Sequence, residues 1–234
     1  MEKPTSTDET VQQILDKYAD DAPQYRAHAS KFQDLDRWTG ADPKVIIADA
    51  AGSATGLNYE NIVKPNAEAF RDQFIESGRV QSLEDLAELE HDPEFAESFT
   101  IGRPNIVYDV PSALLEDAKP GADDLDLLQT WAENADPEEY RSDPVGEVHG
   151  IGPATFQYLR MIAGADTVKP DIQVDKFISE LEAAHPEFDV DSSSDGKLIE
   201  SCRWLAAHST YSMIEIDQIA WWTFSETESL SSTH

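Results

Sequence analysis

Val148-His-Gly-Ile-Gly-Pro-Ala-Thr-Phe-Gln-Tyr-Leu-Arg160, continued after a Gly-Ala-Asp break by Lys169-Pro-Asp-Ile-Gln-Val-Asp-Lys-Phe177, is the stretch from which the fold of this chain is read. Two glycines around one apolar residue let the backbone turn sharply and expose its amides. Pro153 suits a first helical position, where the missing N–H costs nothing. Behind it Phe156, Leu159, Ile162 and Ala163 recur at helical spacing and predict a buried stripe. A helix opening after a glycine turn offers N–H groups to an anion such as a phosphate. Because the hairpin side chains are apolar, contact would run through the backbone, which positions a nucleic acid without reading its sequence. The competing reading is a plain helical corner with Gly for close packing. Further on, Pro170 keeps Lys169 extended and Asp171 stands at a helix start.

The hairpin together with the spaced Asp resembles the signature of the helix-hairpin-helix base-excision DNA glycosylases. Their pattern is L-P-G-[VI]-G-x-x-T-A, with an Asp in D-x-x-V about nineteen or twenty residues after the second glycine. Here Gly152 to Asp171 is nineteen residues (171 − 152), and Val174 completes Asp-x-x-Val. The close resemblance covers residues 145–178. It implies an all-α fold of two helical lobes with the hairpin at their junction. It implies double-stranded DNA as partner, with His149, Gly150, Ile151, Gly152, Ala154 and Lys169 against the phosphates. Asp171 would be the catalytic carboxylate and Asp175, one helical turn on, its understudy in a shifted register. Cleaving an N-glycosidic bond builds positive charge on the sugar, and a nearby carboxylate stabilises that charge or activates a water. The base must first leave the stack and enter a pocket.

Two departures narrow the resemblance. Members that also nick the backbone carry Lys two residues after the second Gly; Ala154 stands there, so Schiff-base chemistry at that position is excluded. Val148-His149 replaces Leu-Pro. The implied activity is therefore monofunctional. With Cys202 the only cysteine, neither an internal disulfide nor the four-cysteine iron–sulfur cluster of some relatives can form. No cofactor is expected beyond a monovalent cation at the hairpin.

The 234 residues carry 47 acids against 17 bases, a formal net charge of −30, yet 40% are apolar, which excludes a disordered acidic chain. Acids spread along the whole chain fit a halophile's cytosol, where dense carboxylates hold water and cations. Two windows are near neutral. From His149 to Phe177 three bases (Arg160, Lys169, Lys176) meet three acids (Asp166, Asp171, Asp175). From Arg37 to Gln81 there are five bases and six acids. A surface that meets phosphates should avoid surplus carboxylates. No stretch is apolar enough to span a membrane, residues 1–8 lack a signal-peptide core, and no obligatory protein partner is implied; the expected location is cytoplasmic.

Elsewhere the periodicity predicts helices over 10–19, 30–38, 42–50, 65–77, 82–89, 93–99, 125–132, 176–184, 197–208 and 212–224. Asn105–Leu115 is apolar, with Asp109 expected as a cap and the segment expected to cross between lobes. Asp136-Pro137 and Asp143-Pro144 are further helix-start signals, the second for a first hairpin helix only about one turn long before Gly150. Ser53, Ala54 and Thr55 fall where the glycosylases carry a loop that reaches into the DNA stack. Arg160 and Lys176 are further candidates for phosphate contact, and Trp38, Tyr59 and Tyr158 for stacking on an extruded base. The Asp189–Gly196 loop does not keep the register of a calcium loop. Scattered histidines give no metal signature, and there is no P-loop or nucleophile elbow. Two other readings stay open: a helix-hairpin-helix DNA-binding protein without the chemistry, and a helical protein-interaction module with a Gly-x-Gly corner.

Overall fold

The computed structural model describes residues 6–116 and 118–225, and over these the protein is all-α, with twelve α-helices and no strand. Of the stretches expected to be polar ends, 1–8 and 225–234, most lies outside those residues. The chain divides into two compact units. One joins residues 1–31 to 166–234, and the other is 32–165. The border after Ala165 divides the motif itself. The hairpin belongs to the second unit and Asp171 to the first.

The 32–165 unit is organised around α3 (Pro43–Ser53), whose residues Val45 to Gly52 are all buried. Asp42 caps it through the Lys44 N–H and Pro43 opens it, as the sequence indicates. Against α3 pack α4 (Lys64–Phe70), α5 (Leu83–Ala87), α7 (Pro104–Leu115), α8 (Asp124–Asn134) and α9 (Pro153–Ile162). Phe70, Phe74, Phe95 and Phe99 form a contiguous aromatic cluster, joined by α6 (Pro93–Ser98). The Ser82–Asp85 capping box starts α5.

The other unit is organised around α12 (Met213–Phe224), which packs on α10 (Ile172–Ala184), α11 (Asp195–Ala207) and α1 (Thr7–Asp21). Val11, Leu15, Phe177, Ile178, Leu181, Cys202, Leu205, Ile216 and Ile219 make its core. Both ends of the chain contribute to this unit.

Several expectations are corrected. The second helix, α2, runs Tyr25–Gln33 rather than 30–38. Ala22, Tyr25 and Ala29 are the buried positions that set its phase, and Leu35 at φ +53° ends the helical path before Trp38. Asp109 is not a cap. It lies within α7 and accepts from the Asn105 side chain at 3.0 Å. Residues 104–115 do not run between units but pack on α3 and α5 inside one. Asp136-Pro137 and Asp143-Pro144 start no α-helix. Asp136 accepts the Glu138 N–H and Asp143 those of Val145 and Gly146, but after Asp143 the chain meets Gly146, where any Cβ would strike the Tyr140 carbonyl, and the turn at Gly150 follows at once. The hairpin's first limb is therefore a single α-turn, closed by the Glu147 N–H on the Asp143 carbonyl at 2.9 Å.

Candidate functional site

The hairpin is built from the backbone outward. Ile151 donates its N–H to the Val148 carbonyl at 3.0 Å, and Gly150 takes φ +92°, a left-handed conformation only glycine adopts without strain. A Cβ there would also press on Arg103 Cδ at 3.1 Å. The Ile151 side chain turns inward and is buried, so it anchors the hairpin and offers a ligand nothing but backbone. The exposed His149 has its carbonyl held by Asn105 Nδ2 at 2.7 Å. A monovalent cation here would find the Val148 and His149 carbonyls each with one lone pair already engaged. Gly152 is the N-cap of α9, no side chain caps the helix, and Ala154 is partly exposed in its first turn.

Gly152 has an ordinary extended backbone (φ −104°), and a Cβ there would meet nothing within 4 Å. The fold makes no demand for glycine at this position, whereas close approach by another molecule's backbone would. The two glycines are therefore expected to respond differently. Gly150→Ala should cost about 1–2 kcal/mol of stability. Gly152→Ala, which puts a poorer N-cap residue at an ordinary extended position, should cost at most about 1 kcal/mol; on the DNA-binding reading it should weaken duplex binding beyond what that cost explains. Thermal unfolding and fluorescence anisotropy on both variants check this; equal losses of affinity per unit of stability would make both glycines purely structural.

In the other unit Asp171 caps α10. Its Oδ1 accepts the N–H groups of Gln173 at 3.0 Å and Val174 at 3.4 Å. Its Oδ2 takes no part in the cap and lies 3.7 Å from Lys169 Nζ, with the side chain 23% exposed. Cap and candidate catalyst are thus two oxygens of one carboxylate rather than alternatives. Asp175, partly buried, follows one turn later, and its N–H bonds the Asp171 carbonyl at 2.8 Å. Ile172, next to Asp171, is 61% exposed, an apolar side chain left on the surface beside the carboxylate.

Asp217, which the sequence reading missed, stands behind this site. It is buried on α12, its Oδ1 accepts the Lys169 N–H at 2.9 Å, and its Oδ2 accepts from Gln218 Nε2 at 2.9 Å. Burial, and then the negative charge of Asp171, push its carboxyl up to about 7, with the Lys169 N–H and charge opposing. Lys169, expected as a phosphate contact, has its backbone N–H on Asp217 and its partly exposed ammonium 3.7 Å from Asp171.

A second missed cluster lies in the 32–165 unit. Asp49 is fully buried on α3, and its Oδ2 accepts from Arg37 Nη1 (3.1 Å), Tyr158 OH (2.9 Å) and Tyr59 OH (3.2 Å). The Tyr59 hydroxyl in turn accepts from Trp38 Nε1 and Arg37 Nη2, each at 2.7 Å. Burial, then the Asp49 charge, raises the Tyr59 phenol to about 12, so it is a neutral donor. The three aromatic residues considered for stacking are thereby drawn into one network. Tyr158 is buried in it, while Trp38 and Tyr59 keep partly exposed edges. Arg160, considered for phosphate contact, is buried, donating to the Ala132 carbonyl at 2.8 Å and to Gln157 Oε1 at 2.6 Å. Ser53 is the last residue of α3 and partly buried; in the loop that follows, Thr55 is exposed and Leu57 is a 40% exposed apolar side chain.

Among the described residues no group of His, Cys, Asp and Glu is arranged to hold a metal ion, and no helix is long and apolar enough to cross a membrane. Comparison with models of known families, with curated proteins and with solved structures gives no match to this chain.

Proposed function

We propose that the protein is a monofunctional DNA N-glycosylase that removes a damaged or mismatched base in a high-salt cytosol. The observation that carries this reading is the division of the Asp171 carboxylate. One oxygen is fixed by two backbone N–H groups, and the other is left beside a lysine in a partly exposed position, nineteen residues after Gly152 in the chain. A carboxylate fixed in this way suits stabilisation of an oxocarbenium-like sugar or activation of a water. The uncapped N-terminus of α9 and the open face of Gly152 suit a phosphate. Ala154 supplies no amine, so abasic DNA would be released unbroken. Leu57 is an exposed apolar side chain two residues after Ser53–Thr55, where the resemblance puts the loop that enters the stack.

The net charge of −30 opposes approach to DNA, and salt screens that repulsion, the Debye length falling to about 3 Å at 1 M. Duplex affinity is accordingly expected to hold or improve as KCl rises from 0.2 M to molar concentrations, opposite to the usual counterion-release slope. A steep loss of affinity over that range would count against the high-salt setting. The activity itself is tested in molar KCl with duplexes carrying alkylated, oxidised, deaminated or mismatched bases, followed by hot alkali. The expected result is strand cleavage at one lesion class only after alkali. Measurable binding with no cleavage on any duplex would instead identify a DNA-binding protein that lacks the chemistry.

A further inference from the structure

We propose that Asp217 is the positioning residue of Asp171, holding the Lys169–Asp171 turn in place from α12. The inference rests on the reading of Asp171 as catalytic for its consequence, but its geometry stands independently. The loop from Asp166 to Asp171 is tied to α12 at both ends by reciprocal bonds. Asp166 Oδ1 accepts the Ile214 N–H at 2.9 Å, and Asp217 Oδ1 accepts the Lys169 N–H at 2.9 Å. The Lys169 carbonyl then accepts the Asp171 N–H at 2.8 Å. Two hydrogen bonds therefore connect a buried carboxylate to the backbone that aims Asp171. Of the neighbouring elements, the loop presents Asp171 and Lys169 to Asp217, and α11 presents Cys202, whose thiol is raised by burial and by the Asp217 charge. Gln218, on the same helix, holds the second oxygen.

Losing the Asp217 proton strengthens its hold on the Lys169 N–H and adds a second negative charge near Asp171. That second charge favours a cationic sugar. Cleavage is expected to rise as pH passes through about 7, the point to which burial and Asp171 push Asp217. The folded state keeps this proton to higher pH than the unfolded chain. The contribution of Asp217 to stability is thus greatest below the ordinary Asp value, 3.8, falls as pH rises to about 7, and is level above.

The test uses the full chain labelled with ¹³C at the Asp carboxyl carbon, titrated in molar KCl, beside single-turnover cleavage of the lesion duplex. One carboxyl should titrate near 7, vanish in Asp217→Asn and move down by about one pH unit in Asp171→Asn. Asp217→Asn, which can still accept the Lys169 N–H, should fold and lose the rising limb of the pH–rate profile. Asp217→Ala should lose about 10–100-fold in cleavage at every pH. Should Asp217→Ala fail to fold, the Asn variant and the titration decide. A carboxyl near 7 that ignores Asp171→Asn, or no Asp titrating above the ordinary range, overturns the proposal. Coupled titration in a protein that cleaves no lesion upholds the Asp217–Asp171 link and sinks the glycosylase reading alone.

Discussion

Asp171→Asn is expected to lower cleavage by about 10²–10⁴-fold with little change in stability or in duplex affinity. The reason lies in which oxygen does what. The cap uses Oδ1 alone, with the Gln173 and Val174 N–H groups as donors, and Asn caps a helix about as well as Asp. The substitution therefore keeps the start of α10 and removes only the charge. Asp171→Ala removes both and should cost a further ~0.5–2 kcal/mol of stability. A loss of cleavage that appears in Ala but not in Asn would reduce Asp171 to a cap. Single-turnover rates beside thermal unfolding of both variants separate the two roles.

Asp49→Ala is expected to destabilise the 32–165 unit by about 3–5 kcal/mol, the range for breaking a buried ion pair from one side. Arg37 would keep a charge in a nearly buried position, its side chain being 11% exposed, and the buried Tyr158 hydroxyl would lose its bond to the Asp49 carboxylate. The cost comes from the groups left behind more than from the bond removed. Tyr59→Phe, which deletes one hydroxyl of the network, should cost about 1 kcal/mol. Urea unfolding in molar KCl checks both. An Asp49→Ala protein within 1 kcal/mol of wild type would mean that water re-solvates Arg37 without penalty. The network's place in the fold is plain from α3, an apolar helix with one carboxylate at its centre that only converging donors make tolerable.

That helix shows what the sequence makes legible and what it hides. Local chemistry reads well. Asp42-Pro43, Asp92-Pro93 and the Ser82–Asp85 box mark helix starts that the structure contains, because a cap acts within a few residues. The same signal misleads at Asp143-Pro144, where Gly146 must pass against the Tyr140 carbonyl and the chain turns again at Gly150. Contacts distant in sequence do not read at all. Asp217 lies 46 residues beyond Asp171 (217 − 171), and nothing in Ile216-Asp-Gln-Ile-Ala-Trp-Trp says what its carboxylate faces. Yet both carry a sequence mark: Asp49 is the one acid of the apolar run in α3, and Asp217, although Glu215 stands two residues before it, lies among Ile214, Ile216 and Ile219 on α12. In so acidic a chain such an acid is easily passed over as one more surface charge, although burial obliges it to have partners. Arg160 carries the converse lesson. Counted as a base near the hairpin it resembles a phosphate contact, but its place on the buried stripe of α9 commits its guanidinium to the Ala132 carbonyl and Gln157.

On the proposed function Asp171 breaks an N-glycosidic bond and the DNA backbone stays intact. The decisive experiment is single-turnover reaction of wild type and Asp171→Asn with one lesion duplex in molar KCl, each time point split between alkali and no alkali. The expected result is strand breakage by wild type in the alkali-treated half alone, and none above background with Asp171→Asn at equal duplex binding. Breakage without alkali, or cleavage undiminished in Asp171→Asn, would contradict it.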